Sequence, residues 1–121
     1  MKYDDAATIQ EVFKQAGSCE HEFVGRELVT DDTKTLVGGW NNDDGSAGYA
    51  VAELPDGRWI AASQWEDYSG HGCQCDGTSQ VYDSLALALR LGLDQDQRKD
   101  ALTRLRKNPD GAMAIAELVG E

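Results

Sequence analysis

Between residues 34 and 65 the chain repeats one pattern, an extended and partly apolar segment followed by residues that favour a tight reversal. Residues 34–40 run into Asn41-Asn42-Asp43-Asp44-Gly45-Ser46, residues 48–54 run into Pro55-Asp56-Gly57, and residues 58–65 follow. Proline presets one backbone angle, glycine supplies the other hand, and Asn or Asp side chains bond back to the local backbone, so these clusters read as turns. Connections this short make successive strands antiparallel neighbours, and the pattern therefore constrains the chain to a β-meander. In the third segment Trp59, Ala61, Ser63 and Trp65 alternate with Ile60, Ala62 and Gln64. The face bearing the tryptophans is expected to pack on a helix.

Helical patterns flank the meander. Ile9, Val12, Phe13 and Ala16 fall at i, i+3, i+4 and i+7, with Asp4 or Asp5 as cap and Gly17 as stop. A strand over residues 23–30 follows. Beyond the meander, residues 66–77 hold three glycines and almost no aliphatic side chain, which reads as a loop, and residues 78–82 offer one more short strand. Asp83 or Ser84 caps a leucine-rich helix over 85–91 closed by Gly92, and Asp94 with Gln97 has capping-box spacing for another helix carrying Ala101, Leu102 and Leu105. Its basic residues Arg98, Lys99, Arg104, Arg106 and Lys107 interleave with Asp96 and Asp100, which reads as a solvated, salt-bridge-laced face. Asn108-Pro109 starts a last helix through Met113, Ile115, Leu118 and Val119. The expectation is a single α+β domain over residues 1–121: an antiparallel β-meander of about four strands with room for a fifth, an N-terminal helix, and two or three C-terminal helices.

Charge divides the chain. Of the net −11, residues 1–83 hold all of the excess, with sixteen acidic against five basic side chains, while residues 84–121 hold six of each. An acidic part of helix plus sheet thus precedes a charge-neutral helical part. Such a surface repels phosphate backbones, so direct nucleic-acid binding is not expected, and the partner it suits is a protein with a basic surface. Solubility alone is the bland account of the same charge. No apolar run approaches the ~20 residues a membrane span needs, and Met1-Lys2-Tyr3-Asp4-Asp5 lacks the apolar core of a signal peptide. The expected location is the cytoplasm.

Every cysteine and histidine falls in two short windows, Cys19-Glu20-His21 and His71-Gly72-Cys73-Gln74-Cys75. Three thiols and two imidazoles exceed by one the four donors of a tetrahedral zinc site, so Cys19, His21, His71, Cys73 and Cys75 form a candidate structural zinc set. Cys-x-Cys spacing is less diagnostic than Cys-x-x-Cys, and thiolate with imidazole suits iron as well as zinc. Three other readings stay open. A disulfide from Cys19 to Cys73 or Cys75 leaves one thiol odd; a Cys–His nucleophile pair or a metal-bound water, assisted by Glu66, Asp67 or Asp76, would make an enzyme of the 66–76 loop; plain packing needs no chemistry at all. Asp31-Asp32 and Asn42-Asp43-Asp44-Gly45 lack the alternating ligand pattern of a calcium loop, and Gly38-Gly39 lacks the residues of a phosphate loop.

The run Trp65-Glu-Asp-Tyr-Ser-Gly-His-Gly-Cys-Gln-Cys-Asp-Gly, followed by Val81-Tyr82-Asp83-Ser84-Leu85 and a helix ending Leu91-Gly92-Leu93, resembles small uncharacterised proteins of bacteriophages, especially those of actinobacteria. The resemblance implies expression inside a bacterial host and carries no activity. The leading functional expectation is a non-enzymatic acidic protein that binds a host or viral protein, for instance as an inhibitor of a host or defence factor.

Overall fold

The computed structural model describes residues 3–15, 22–41, 46–67 and 74–107, with the backbone alone for residues 22, 46, 66, 67 and 74–76. In chain order the elements are β1 (Asp5–Ala6), α1 (Ile9–Gln15), β2 (Glu22–Phe23), a 3-10 turn (Arg26–Leu28), β3 (Thr35–Asn41), β4 (Ser46–Glu53), β5 (Trp59–Asp67), β6 (Gln74–Tyr82), α2 (Leu85–Leu91) and α3 (Gln95–Leu105). They form one six-stranded sheet in the order β1-β3-β4-β5-β6-β2. The antiparallel meander is β3 to β6. Two-residue strands complete its edges, β1 antiparallel to β3 and β2 parallel to β6.

Both faces of the sheet are covered. On one, Ile9, Val12 and Phe13 of α1 pack against Ala50, Ala52, Ile60 and Ala62. On the other, Leu85, Ala88 and Leu89 of α2 and Ala101 and Leu105 of α3 pack against Val37, Tyr49, Val51 and Ala61. Because β4 and β5 are buried on both sides, small apolar residues occupy both of their faces in place of an apolar-polar alternation. Trp59 joins the α2–α3 side as expected, whereas Trp65 on the same strand stays 42% exposed. A register shift between Thr35 and Val37 inserts a bulge at Leu36, and Leu36 and Val37 both pack toward α2 and α3.

Local chemistry accounts for the element ends. Ser84 caps α2 and Gln97 completes a capping box with Asp94 on α3, as the spacing predicts. The first helix differs: its cap is Thr8, not Asp4 or Asp5. The Thr8 hydroxyl accepts from the Glu11 N–H at 3.1 Å while Glu11 accepts from the Thr8 N–H at 3.3 Å. The strand expected over 23–30 is cut to Glu22–Phe23 because Gly25 turns the chain at φ 81° into the 3-10 turn. The loop expected over 66–77 is shortened from both ends, since Glu66–Asp67 continue β5 and residues 74–77 begin β6. The helix predicted after Pro109 lies outside the described residues. Among the described residues no helix is long and apolar enough to cross a membrane.

The predicted solvated face of α3 is corrected at three positions, Arg98, Asp100 and Arg104. Arg98 donates to the carbonyls of Leu89, Arg90 and Leu93, closing the C-terminal end of α2. Asp100 accepts from the buried Tyr49 hydroxyl and from Arg104 Nε at 2.7 Å, and Arg104 also donates to the carbonyls of Tyr3 at 3.0 Å and Asp5 at 3.2 Å. Gly39 makes room, since a Cβ there would sit 2.7 Å from Asp100 Oδ2 and 2.8 Å from the Tyr49 ring. Replacing Tyr49 with Phe removes one donor from a part-buried carboxylate. The expected loss is about 1–3 kcal/mol, read as a lower urea midpoint at unchanged slope; an unchanged midpoint would show that Asp100 is satisfied without Tyr49.

Candidate functional site

The end of the sheet at which β5 leaves and β6 returns carries the candidate site. In register, Trp65 pairs with Asp76, Glu66 with Cys75 and Asp67 with Gln74. Cys75 is therefore part of β6, described by its backbone. Cys19, His21, His71 and Cys73 lie outside the described residues, as does the 68–73 part of the predicted loop.

What the fold contributes is the placement of the chain on either side of them. β2 runs parallel to β6, with Glu22 opposite Thr78 and Phe23 opposite Ser79. The residue bonded to His21 is thus seated beside β6, about 10 Å along that strand from Cys75 at the usual rise per residue. Ser79 Oγ donates to the Val24 carbonyl at 2.8 Å, and Val24 N–H donates to the Ser79 carbonyl at 3.4 Å, which fastens β2 at its far end. Phe23 then packs edge-on to Phe13 at 5.0 Å between ring centres, and the Arg26 guanidinium lies 5.5 Å from both rings while donating to the Phe13 carbonyl.

Gln64 occupies the middle of this end. Its register partners on the two neighbouring strands are Gly48 and Gly77. Neither glycine leaves a gap: an added Cβ at Gly48 would meet the Trp40 indole at 2.2 Å, and one at Gly77 would meet Phe23 Cζ at 2.8 Å. Aromatic rings laid across strand glycines in this way fill the space a side chain would take. Gln64 itself is only 3% exposed, and among the described residues neither its Oε1 nor its Nε2 has a hydrogen-bond partner. A buried amide left wholly unpaired is rare and calls for a reason. The sequence held a signal for it, a polar residue at the end of the otherwise apolar row Ile60, Ala62, Gln64.

On the opposite face the same end forms a small cavity of about 230 Å³, lined by Tyr3, Ser63, Trp65, Thr78, Asp94 and Gln97 among others. Burial, and then the negative charge of Asp94, raise the Tyr3 hydroxyl pKa to about 12. Along the same row of the sheet, at its β1–β3 edge, a wider cleft of about 620 Å³ is bounded by Asp5, Glu11, Lys14, Gln15 and Trp40. Among the described residues no group of three or more His, Cys, Asp or Glu side chains is gathered to hold a metal ion. No family model, curated protein or solved structure matches the chain.

Two outcomes follow from this geometry. Gly77→Val should displace the Phe23 ring and detach β2, and hydrogen exchange at the Val24 amide should accelerate; protection equal to wild type would refute the close packing of Phe23 on Gly77. Alkali should destabilise the fold through Tyr3. Its folded pKa exceeds the unfolded value of about 10, so the unfolded chain loses its proton first and stability falls as pH rises from about 10 through 12. Urea midpoints at pH about 9 and about 11 should show the drop, and Tyr3→Phe should reduce it; an equal drop in the variant would remove Tyr3 from the account.

Proposed function

We propose that this is a non-enzymatic binding protein of a bacteriophage, acting in the bacterial cytoplasm, that engages a basic surface of a host or viral protein. In this reading the bound target is a host or defence factor that the protein inhibits, and Cys19, His21, His71, Cys73 and Cys75 supply a structural zinc site. The phage origin is supported by the resemblance of residues 65–93.

The observation that carries the binding reading is the cleft beside Trp40. Asp5 and Glu11 are exposed at its rim, and the half-buried indole offers an aromatic surface beside them. A carboxylate pair next to an indole suits a guanidinium or ammonium group, which gains both ion pairing and cation–π attraction there. Asp4, bonded to Asp5, is exposed as well and adds to the attraction for positive charge. The zinc reading draws support from the parallel pairing of β2 with β6, which brings the chain next to His21 alongside the strand that carries Cys75. A bound zinc would tie the two windows together and supply rigidity, and the binding chemistry would remain with the acidic cleft.

Fluorescence titration with an arginine-rich peptide tests the binding reading. Binding should weaken steeply as salt is raised, and the double variant Asp5→Asn, Glu11→Gln should weaken it at least several-fold while keeping the helix cap that Glu11 provides. Binding that is insensitive to salt, or unchanged in the double variant, would sink it.

A further inference from the structure

The small cavity on the α2–α3 face has a floor built by register. Ser63 lies between Tyr49 and Thr78, and Ala47 lies beside Trp65. These two small side chains among larger ones leave a hollow of about 230 Å³, bounded by Tyr3, Trp65, Thr78 and the first turn of α3. Pockets for drug-sized ligands measure about 300–1,000 Å³, so this one admits a group of side-chain size.

The chemistry of the lining selects a cation. Among the described residues it holds one carboxylate, Asp94, and no basic side chain. The capping box engages Asp94 Oδ1 with the Gln97 N–H and makes no use of Oδ2. A helix N-terminus carries about half a positive charge. Asp94 and Asp96 in that turn outweigh it, and the field of both reaches the Tyr3 hydroxyl. Ser63 and Thr78 add hydroxyl oxygens that can accept. Trp65 keeps 42% of its surface exposed, whereas Trp59 of the same strand packs against the core. An indole beside a carboxylate attracts a cation and covers the carbon chain that bears it. A guanidinium is recognised best by both oxygens of a carboxylate, and one oxygen of Asp94 is committed to the cap. A primary ammonium is compact and directs three N–H groups at separate oxygens.

We propose that this cavity binds a primary alkylammonium group, with the ammonium held by Asp94 and the Ser63 and Thr78 hydroxyls and the carbon chain against Trp65. It is a site separate from the Trp40 cleft and stands independently of the function proposed for that cleft. Two sources supply the group: a lysine side chain of another protein, or a small free amine.

The test titrates butylammonium chloride into isotope-labelled protein, with butanol as the neutral match, and follows the Ser63 and Thr78 amides and the Trp65 indole N–H by NMR. Butylammonium should shift these signals together and saturably, with a Kd of about 1 mM for so small a ligand. Butanol should bind about tenfold more weakly, lacking the charge. Asp94→Asn should weaken butylammonium binding about tenfold. It should keep the urea midpoint near that of wild type, because asparagine caps a helix as well as aspartate does. Trp65→Ala should weaken binding a few-fold. The double variant Asp5→Asn, Glu11→Gln should leave it unchanged, since those carboxylates line the other cleft. A blocked Gly-Lys-Gly peptide that binds as tightly as butylammonium assigns the site to a protein lysine, and one that binds far more weakly assigns it to a free amine. Shifts scattered over the acidic surface without saturation, equal binding of butanol, or undiminished binding by Asp94→Asn overturns the proposal.

Discussion

The carboxylate of Asp100 is the joint on which the three layers depend. It sits on α3, accepts from Tyr49 at the centre of the sheet, and holds Arg104, which in turn binds the carbonyls flanking the start of β1. One side chain thus ties the helical layer to the middle strand and to the edge. The geometry is possible because Gly39 carries no Cβ, and because Tyr3 stacks edge-on against Tyr49 at 5.2 Å, closing the site from the N-terminal side. Burial makes these bonds stronger than their surface equivalents and makes any broken one costly.

A second organising device works on the α1 face. Trp40 and Phe23 lie across Gly48 and Gly77, so the sheet is covered there by rings reaching over from neighbouring strands. This allows two-residue β2 to be held in place: the pairing supplies few backbone bonds, while the Phe23 ring, the Phe13 contact and the Arg26 guanidinium supply the packing. It also leaves Gln64 enclosed between two aromatic walls.

Features set by local chemistry were legible from the residues. Turn clusters marked the meander, Ser84 and the Asp94–Gln97 pair marked the starts of α2 and α3, and Gly92 marked the end of α2. Thr8 with Glu11 was an equally local signal, obscured by the two aspartates upstream. What the sequence hid depended on distant partners. Two-residue strands have no periodicity of their own, so β1 and β2 exist only through β3 and β6. Asp100 and Arg104 have the spacing of surface lacing, and their burial follows from Tyr49, 51 residues away. For the candidate site, clustering of Cys and His was visible, whereas the parallel register that brings the chain beside His21 to β6 was not, because no local pattern encodes it.

The reach of Arg104 has a consequence for how the chain comes to be folded. Its bond to the Tyr3 carbonyl spans 101 residues, and the Ser79–Val24 bond at the end of β2 spans 55. On a ribosome, residue 3 emerges well before residue 104 and waits until that residue has cleared the exit before its clasp can close. The meander can assemble strand by strand during synthesis, and β1 can pair with β3 early, but β2 has no strand to pair with until β6 has emerged. Closing large loops is slow, and exposed strand edges invite pairing with other chains. The pairing of β2 with β6 is therefore also the step that ends the period in which the growing sheet is most exposed to misassembly.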